Sequence, residues 1–178
     1  MFVCCLLAAG GAWAMRKDPS GFGAASWWSR IDGYKWLVAT GCQVGPSTLA
    51  DQEAGAEFFP LADRKDVSCY RLRGKRQVIA GQPLEKTVYL AWEGRFFAVR
   101  GAFTPKADLA AVQQAFTSRF GRPDPPPADS GDTAPAFAGA MTWTGRDVQI
   151  GLRAHPAGYP EFFMFYKPIL KAIKSKSR

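Results

Sequence analysis

The chain has 178 residues, the length of one domain, and 47% of them are hydrophobic and 13% aromatic. This composition can bury a substantial core, so it excludes a largely disordered chain. The formal net charge of +8 at pH 7 favours anionic partners. A balance of this size is also common in proteins that bind no polyanion, so it selects no partner by itself.

The first residues have the pattern of an export signal. An apolar run from Phe2 to Gly11 precedes Ala12-Trp13-Ala14, the small-x-small pattern after which signal peptidase cuts. The run is too short to span a bilayer. Because no Lys or Arg precedes it, a buried N-terminal helix or strand is the alternative. We predict a signal peptide over residues 1–14, a flexible lead-in over 15–30, a periplasmic or secreted location, and no transmembrane helix after signal removal.

Two cysteines remain after that cut, Cys42 and Cys69. An even pair in an oxidising compartment predicts a disulfide, which would stabilise the fold by about 3 kcal/mol in the chain-entropy model. The alternative for each is a buried free thiol. The sequence contains no C-x-x-C, so it predicts no redox site, no metal site and no cofactor.

Strand patterns dominate residues 31–103. Strands are predicted at 34–44, 68–73 and 77–80, and Thr48 is a candidate cap for a short helix at 49–59. Residues 87–92 and 95–103 alternate around Glu93-Gly94, which predicts a hairpin.

This hairpin has two faces of different character, because strand side chains alternate. With a two-residue turn, one face carries Val88, Leu90, Trp92, Phe97, Val99 and Phe103, and the other carries Thr87, Tyr89, Ala91, Phe96, Ala98 and Arg100. The first is a core face, and the second is half polar but holds two rings. A one-residue slip at the turn, such as a bulge, would change the assignment.

The strongest helix pattern follows the hairpin. Thr104 is the predicted N-cap, Pro105 suits the first helical position, and Gly121 ends the helix. The apolar stripe on it consists of Leu109, Val112, Phe116 and Phe120. We expect this stripe to pack on the hairpin face that carries Leu90 and Trp92.

The rest of the chain completes an α+β domain. A mobile Pro-rich loop is predicted at 122–138, a hairpin at 141–153 around Gly145-Arg146, an inner strand at 161–167 and a basic tail at 169–178. We therefore predict a single domain over 31–168. Its antiparallel sheet has roughly five to six strands, with one main helix, about 105–120, on one face.

Four motifs follow one another along the chain: the hairpin "EKTVYLAWEGRFFAVRGAF", the helix end "RFGRP", the hairpin "MTWTGRDVQIGL" and a final aromatic strand. The chain resembles small exported bacterial proteins of no established activity that share a G-R/K-aromatic hairpin, an F-G-x-P helix end and a T-W-x-G hairpin. The resemblance covers roughly residues 68–168. It implies the fold and export, and it supplies no catalytic residue.

No catalytic residue is predicted from motifs. The single histidine, His155, precedes a proline in an expected surface turn, and the nucleophile elbow, the H-E-x-x-H motif and the P-loop are all absent from the sequence. An enzyme remains an alternative, because paired carboxylates can act without a motif. Nucleic acid is not a predicted partner, since the chain has no RNP-like or zinc-finger spacing.

Two groups of residues are candidates for binding a ligand or partner. Arg71 and Arg73 share a strand face near Lys75 and Arg76 and could clasp a phosphate or carboxylate; the alternative is a charged edge strand that discourages sheet pairing. Tyr89 and Phe96, with Arg100, would form a ring surface on the half-polar hairpin face. Its alternative is a second small core, in which the segment with Trp36 and Leu37 folds back over the rings.

These observations favour a non-enzymatic binding or accessory module of the bacterial envelope. Its expected partner is an envelope protein or an anionic ligand. The alternatives are an enzyme acting on an envelope substrate, and a small-molecule or lipid carrier. A carrier requires a concave apolar pocket, and an enzyme requires two or three converging polar groups in one.

Overall fold

The structure, a computed structural model, describes residues 15, 18–42, 65–74, 77–79, 81–125, 140–155 and 158–176. The expected signal peptide, the short helix at 49–59 and most of the Pro-rich loop lie outside these residues.

The described residues form ten strands, two α-helices and one 3₁₀ turn. The strands are β1 (Gly21–Phe22), β2 (Ala25–Ser26), β3 (Leu37–Thr40), β4 (Val67–Leu72), β5 (Val78–Ile79), β6 (Gln82–Trp92), β7 (Arg95–Phe103), β8 (Met141–Thr144), β9 (Val148–Ala154) and β10 (Pro160–Tyr166). The helices are α1 (Leu109–Phe120) and α2 (Lys167–Lys176), and the 3₁₀ turn covers Ile31–Gly33. Neither α-helix in the described ranges is long and apolar enough to cross a bilayer.

Eight of the strands form one antiparallel sheet in the order β3-β4-β6-β7-β10-β9-β8, with β5 pairing β6. The α+β class is therefore confirmed, whereas the predicted count of five to six strands is too low. The sheet is larger because the short strands β3 and β5 also pair into it. Strand β10 lies inside the sheet and is buried on both faces, as its continuous apolar run indicates.

The β6–β7 hairpin has the expected two-residue turn. Trp92 pairs with Arg95, and Glu93 and Gly94 both have positive φ, at 49° and 75°. The register then shifts: Ala91 pairs with Phe96, but Leu90 pairs with Ala98. Phe97 is therefore the extra residue of a β-bulge, and beyond it Val99 and Phe103 move to the face that holds Tyr89 and Phe96.

The bulge corrects the predicted packing of the main helix. Val112, Phe116 and Phe120 of α1 pack into the core that contains Tyr89 and Phe96. The other face, with Val88, Leu90, Trp92 and Phe97, is covered by Ile169 and Ile173 of α2. The prediction had these faces reversed, because the bulge gives the Tyr89 face two more large apolar residues and makes it the richer one.

Helix α1 also begins later than predicted. Its N-cap is Asp108, whose carboxylate accepts a hydrogen bond from the Ala110 amide at 2.9 Å, so Thr104 is not the cap. Gly121 ends the helix with φ 95°, as predicted. Its carbonyl accepts a hydrogen bond from the Trp143 indole at 2.8 Å, which ties the helix end to the second hairpin.

Both ends of the described chain are more ordered than the sequence indicated. Residues 15–30 were expected to be a flexible lead-in, but within them β1 and β2 form a hairpin whose Phe22 and Ala25 are buried. The basic tail forms α2, in which Ile169 and Ile173 are buried. In each case the apolar residues of the segment cover a sheet face that would otherwise meet water.

Cys42 and Cys69 form a disulfide, with their Cα atoms 5.1 Å apart. The bond joins the residues after β3 to β4, 27 positions apart. The predicted pairing is confirmed.

Candidate functional site

The ring surface proposed for Tyr89 and Phe96 is not exposed, because both side chains are fully buried. Trp27 stacks on Phe96 with ring centroids 4.7 Å apart, and Trp36 meets Tyr89 edge-on at 5.8 Å. The structure therefore has the alternative arrangement, a core closed by the N-terminal segment. These two rings are corrected from binding to core residues.

Backbone hydrogen bonds hold the N-terminal segment over this face. The amide of Trp28 donates to the Phe96 carbonyl at 2.7 Å, and the Phe96 amide donates to the Ser29 carbonyl at 2.9 Å. The Ile31 amide donates to the Gly94 carbonyl at 2.8 Å. The start of β7 thus has a partner on the side where β10 does not reach it, and this pairing brings Trp27 onto Phe96.

Arg100 is also buried, in an ion cluster of the opposite face. Its Nε and Nη2 atoms donate to Glu161 Oε2 at 3.1 and 2.6 Å, and Arg153 Nε donates to Glu161 Oε1 at 2.6 Å. Glu161 is fully buried and Arg100 is 2% exposed. Buried charges are tolerated only when paired, so this cluster explains Arg100 structurally. The prediction that Arg100 faces a ligand is therefore wrong, and Arg100 belongs to a buried ion cluster.

A cavity of ≈ 360 Å³ lies where α1, the β1–β2 hairpin and β5 meet. We call it the helix–hairpin cavity. It is lined by Pro19, Gly21, Phe22, Gly23, Gln77, Val78, Ile79, Ala115, Phe116, Arg119, Phe120 and Met164. Most of this lining is apolar, and Val78 is 62% exposed, which leaves an apolar side chain in water at the cavity.

Gln77 gives the cavity a polar side chain whose hydrogen bonds are only partly made by the described residues. Its Nε2 donates to the Tyr89 hydroxyl at 2.6 Å, while its buried Oε1 has no hydrogen-bond partner among the described residues. The amide has nearly the same shape when turned over, and Tyr89 would then donate to Oε1 and leave Nε2 without a partner. In either orientation one hydrogen-bonding group of Gln77 has no partner in the described part of the chain, although Gln77 borders the cavity.

Arg119 places a positive charge at the other side of the cavity. It lies in the last turn of α1, where its guanidinium is over the Phe120 ring at 5.5 Å, and its side chain is exposed. No carboxylate of the described chain forms an ion pair with it. The cavity therefore combines an apolar body with one cation and one spare amide group.

The buried phenol of Tyr89 gives a prediction on pH dependence. Burial raises the pKa of Tyr89 from 10.0 to about 12, and the hydrogen bond with Gln77 partly opposes this rise. The folded pKa exceeds the unfolded one, so this group's contribution to stability is fully present below the unfolded pKa. It is lost as pH rises through the folded pKa, and it amounts to about 2–3 kcal/mol.

The free energy of unfolding should therefore fall less for Tyr89→Phe than for the wild type as the pH rises from the unfolded pKa of Tyr89 through its folded pKa. Chemical denaturation at a series of pH values measures the difference, and ultraviolet absorbance of tyrosinate follows the ionisation itself. Tyr70→Phe, at a half-buried position on β4, is the matched control. Equal alkaline losses in the wild type and Tyr89→Phe would contradict a perturbed Tyr89.

The structure also places the predicted basic strand. Arg71 lies on β4 and lines a second cleft with Lys86. Arg73 follows the end of β4 and is not among the residues that line this cleft, while Lys75 and Arg76 lie outside the described residues. Of the predicted binding residues, Arg71 thus borders this cleft.

No cluster of acidic, cysteine and histidine side chains suited to a metal ion occurs among the described residues. His155, expected at the surface, is 3% exposed and stacks on Tyr159 with centroids 4.3 Å apart. Gln77 and Arg119, the polar residues of the helix–hairpin cavity, were missed from the sequence. A single Gln beside a short strand and an Arg at a helix end are too common to mark a site.

Comparison with known proteins supplies no further assignment: no family model matches the chain, and no curated protein or solved structure matches it at a significant level.

Proposed function

We propose that this protein is an exported, non-enzymatic binding module of the bacterial envelope that carries a small amphipathic anion in the helix–hairpin cavity. The observation that supports this most directly is the make-up of the cavity. An apolar lining accommodates an apolar body, and Arg119 and Gln77 supply one charged and one neutral contact for a polar head. Ligand sites commonly have this composition, with few polar groups that fix orientation.

The size of the cavity limits the ligand. Its ≈ 360 Å³ lies at the small end of the range for small-molecule sites, about 300–1,000 Å³. The ligand is therefore a short-chain or single-ring compound with one carboxylate or phosphate, rather than a whole two-chain lipid. The cation of Arg119 selects an anion, because the described chain offers no other charge at this cavity.

The lining favours binding over catalysis. Acid–base or nucleophilic chemistry needs two or three converging groups with matched protonation states. Among the described residues that line the helix–hairpin cavity there is no carboxylate, histidine, cysteine, serine or threonine. A carrier needs no such groups, so the alternative of an enzyme is not developed at this cavity.

Export is supported by three observations that do not depend on the cavity. The first residues have the pattern of a signal peptide, and the motifs resemble those of exported proteins. The Cys42–Cys69 disulfide suits an oxidising compartment.

Filling the cavity should abolish binding without removing any native contact. Ala115 is a half-buried lining residue on α1, so Ala115→Phe adds a ring to the space. Ala110→Phe adds the same ring at an exposed position of the same helix and is the matched control. The readout is displacement of a small environment-sensitive fluorescent carboxylate, within the size limit of the cavity, by unlabelled short-chain carboxylates.

We expect the wild type and Ala110→Phe to bind the probe and Ala115→Phe to lose it. Arg119→Gln should keep neutral apolar probes but bind anionic ones about tenfold more weakly, the loss of one charge-assisted contact. Equal probe binding by Ala115→Phe and Ala110→Phe would contradict the assignment.

A further inference from the structure

The basic residues of β4 are not explained by protection of a sheet edge. Strand β4 pairs with β3 on one side and β6 on the other, with Arg71 opposite Val38 and Val88. The Arg73 amide donates to the Trp36 carbonyl at 2.8 Å, so the pairing with the β3 side continues beyond the end of β4. Because β4 is an inner strand, a charge on it does not serve to discourage pairing.

The sheet register gathers other cations on the same face. Arg71 of β4 pairs with Val88 of β6, and Val88 pairs on its other side with Arg100 of β7. Lys86 lies two residues before Val88 on β6. Paired residues, and residues two apart on a strand, share a face. Arg71 and Lys86 line one cleft of ≈ 320 Å³, which we call the basic cleft, together with Leu72, Gly74, Gln77, Leu84, Glu85 and Thr87.

The described residues that line the basic cleft are positive overall, because Arg71 and Lys86 stand against the single carboxylate of Glu85. Behind the cleft, Arg100 and Arg153 both contact the carboxylate of Glu161. Burial lowers the pKa of Lys86, and the positive charge of Arg100 lowers it further, so the two cations interact electrostatically. Neither Arg71 nor Lys86 has an ion pair within the described part of the chain.

We propose that the basic cleft is a second binding site, which takes the phosphate group of a small phosphorylated compound or lipid headgroup between Arg71 and Lys86. A guanidinium binds two phosphate oxygens in a planar fork, and an ammonium adds a compact charge from another direction. A phosphate monoester also carries more than one negative charge near neutral pH, so its attraction to both Arg71 and Lys86 outweighs its repulsion by the carboxylate of Glu85. This site does not depend on the function proposed for the helix–hairpin cavity.

The test uses the full mature chain and inorganic phosphate as the probe. Phosphate is titrated against chloride at equal ionic strength, and binding is followed by amide chemical shifts in nuclear magnetic resonance and by calorimetry. The variant is Arg71→Gln/Lys86→Gln, and the control is Arg146→Gln/Lys171→Gln, which removes one arginine and one lysine from exposed positions that border neither cavity.

We expect phosphate to shift amides of residues 71–74 and 84–88, and the Arg71→Gln/Lys86→Gln variant to bind it at least about tenfold more weakly than the control. Sedimentation with phosphatidic acid vesicles and with phosphatidylcholine vesicles distinguishes a lipid headgroup from a free phosphorylated compound as the source of the phosphate. Retention by the acidic vesicles alone, lost in the variant, identifies a lipid headgroup; phosphate binding without retention identifies a free phosphorylated compound. Equal binding by variant and control, or no shifts at these residues, overturns the proposal.

Discussion

Phe96→Ala is expected to lower the free energy of unfolding by about 3–5 kcal/mol, the range for removing a buried aromatic ring. Phe96 is fully buried, with Trp27 stacked on it at 4.7 Å and Tyr89 at 5.6 Å. Its removal leaves a cavity between the sheet and the N-terminal segment. Because both sides of this cavity are braced by hydrogen-bonded backbone, neither can collapse fully into it.

Urea denaturation measures this loss, and Val78→Ala is the control. Val78 is 62% exposed, so its truncation should change stability by no more than about 0.5 kcal/mol. If Phe96→Ala instead unfolded like the control, the N-terminal segment would not cover the hairpin in solution. The ring would then be exposed, and the packing on which the helix–hairpin cavity depends would be wrong.

Glu161→Ala is expected to cost a similar amount, about 3–5 kcal/mol, because it removes the carboxylate that two buried guanidiniums contact. Arg100 and Glu161 are almost completely buried, and the Arg153 side chain is 14% exposed. Water cannot replace the lost negative charge at such depth. The same reasoning predicts that Glu161→Gln is strongly destabilising although it preserves shape, since an amide does not neutralise a guanidinium.

The control for this prediction is Asp32→Ala, which breaks the ion pair with Arg30. That pair is exposed, with side chains 61% and 69% accessible, so its loss should not change the unfolding transition measurably. If Glu161→Ala and Asp32→Ala unfolded at the same urea concentration, the buried cluster would be solvated in solution.

The sequence predicted the secondary-structure elements better than it predicted which sheet face each side chain occupies. The turn at Glu93-Gly94, the end of α1 at Gly121 and the inner strand β10 follow from local chemistry, and the Cys42–Cys69 bond follows from the even cysteine count in a chain predicted to be exported. The bulge at Phe97 does not, because no residue there demands a special backbone conformation. One extra residue then exchanged the two faces of β7, and with them the side on which α1 packs.

The candidate sites were harder to predict for the same reason. Tyr89 and Phe96 have the pattern of a ring surface, and only the tertiary packing of the N-terminal segment and α1 determines that they are buried. Gln77 and Arg119 are 42 positions apart in the chain and meet at the helix–hairpin cavity through tertiary packing. Arg71 was identified from sequence as part of a basic strand, but the position of β4 inside the sheet required the structure.

A native mass spectrum of the protein purified from its own source tests the central claim most directly, because it reports a ligand without prior choice of a probe. We expect the wild type to retain a small amphipathic anion, the Ala110→Phe control to retain the same mass, and Ala115→Phe to appear ligand-free. A wild type that carries no added mass, together with no binding of short-chain carboxylates, would contradict a carrier function. So would an added mass that Ala115→Phe retains.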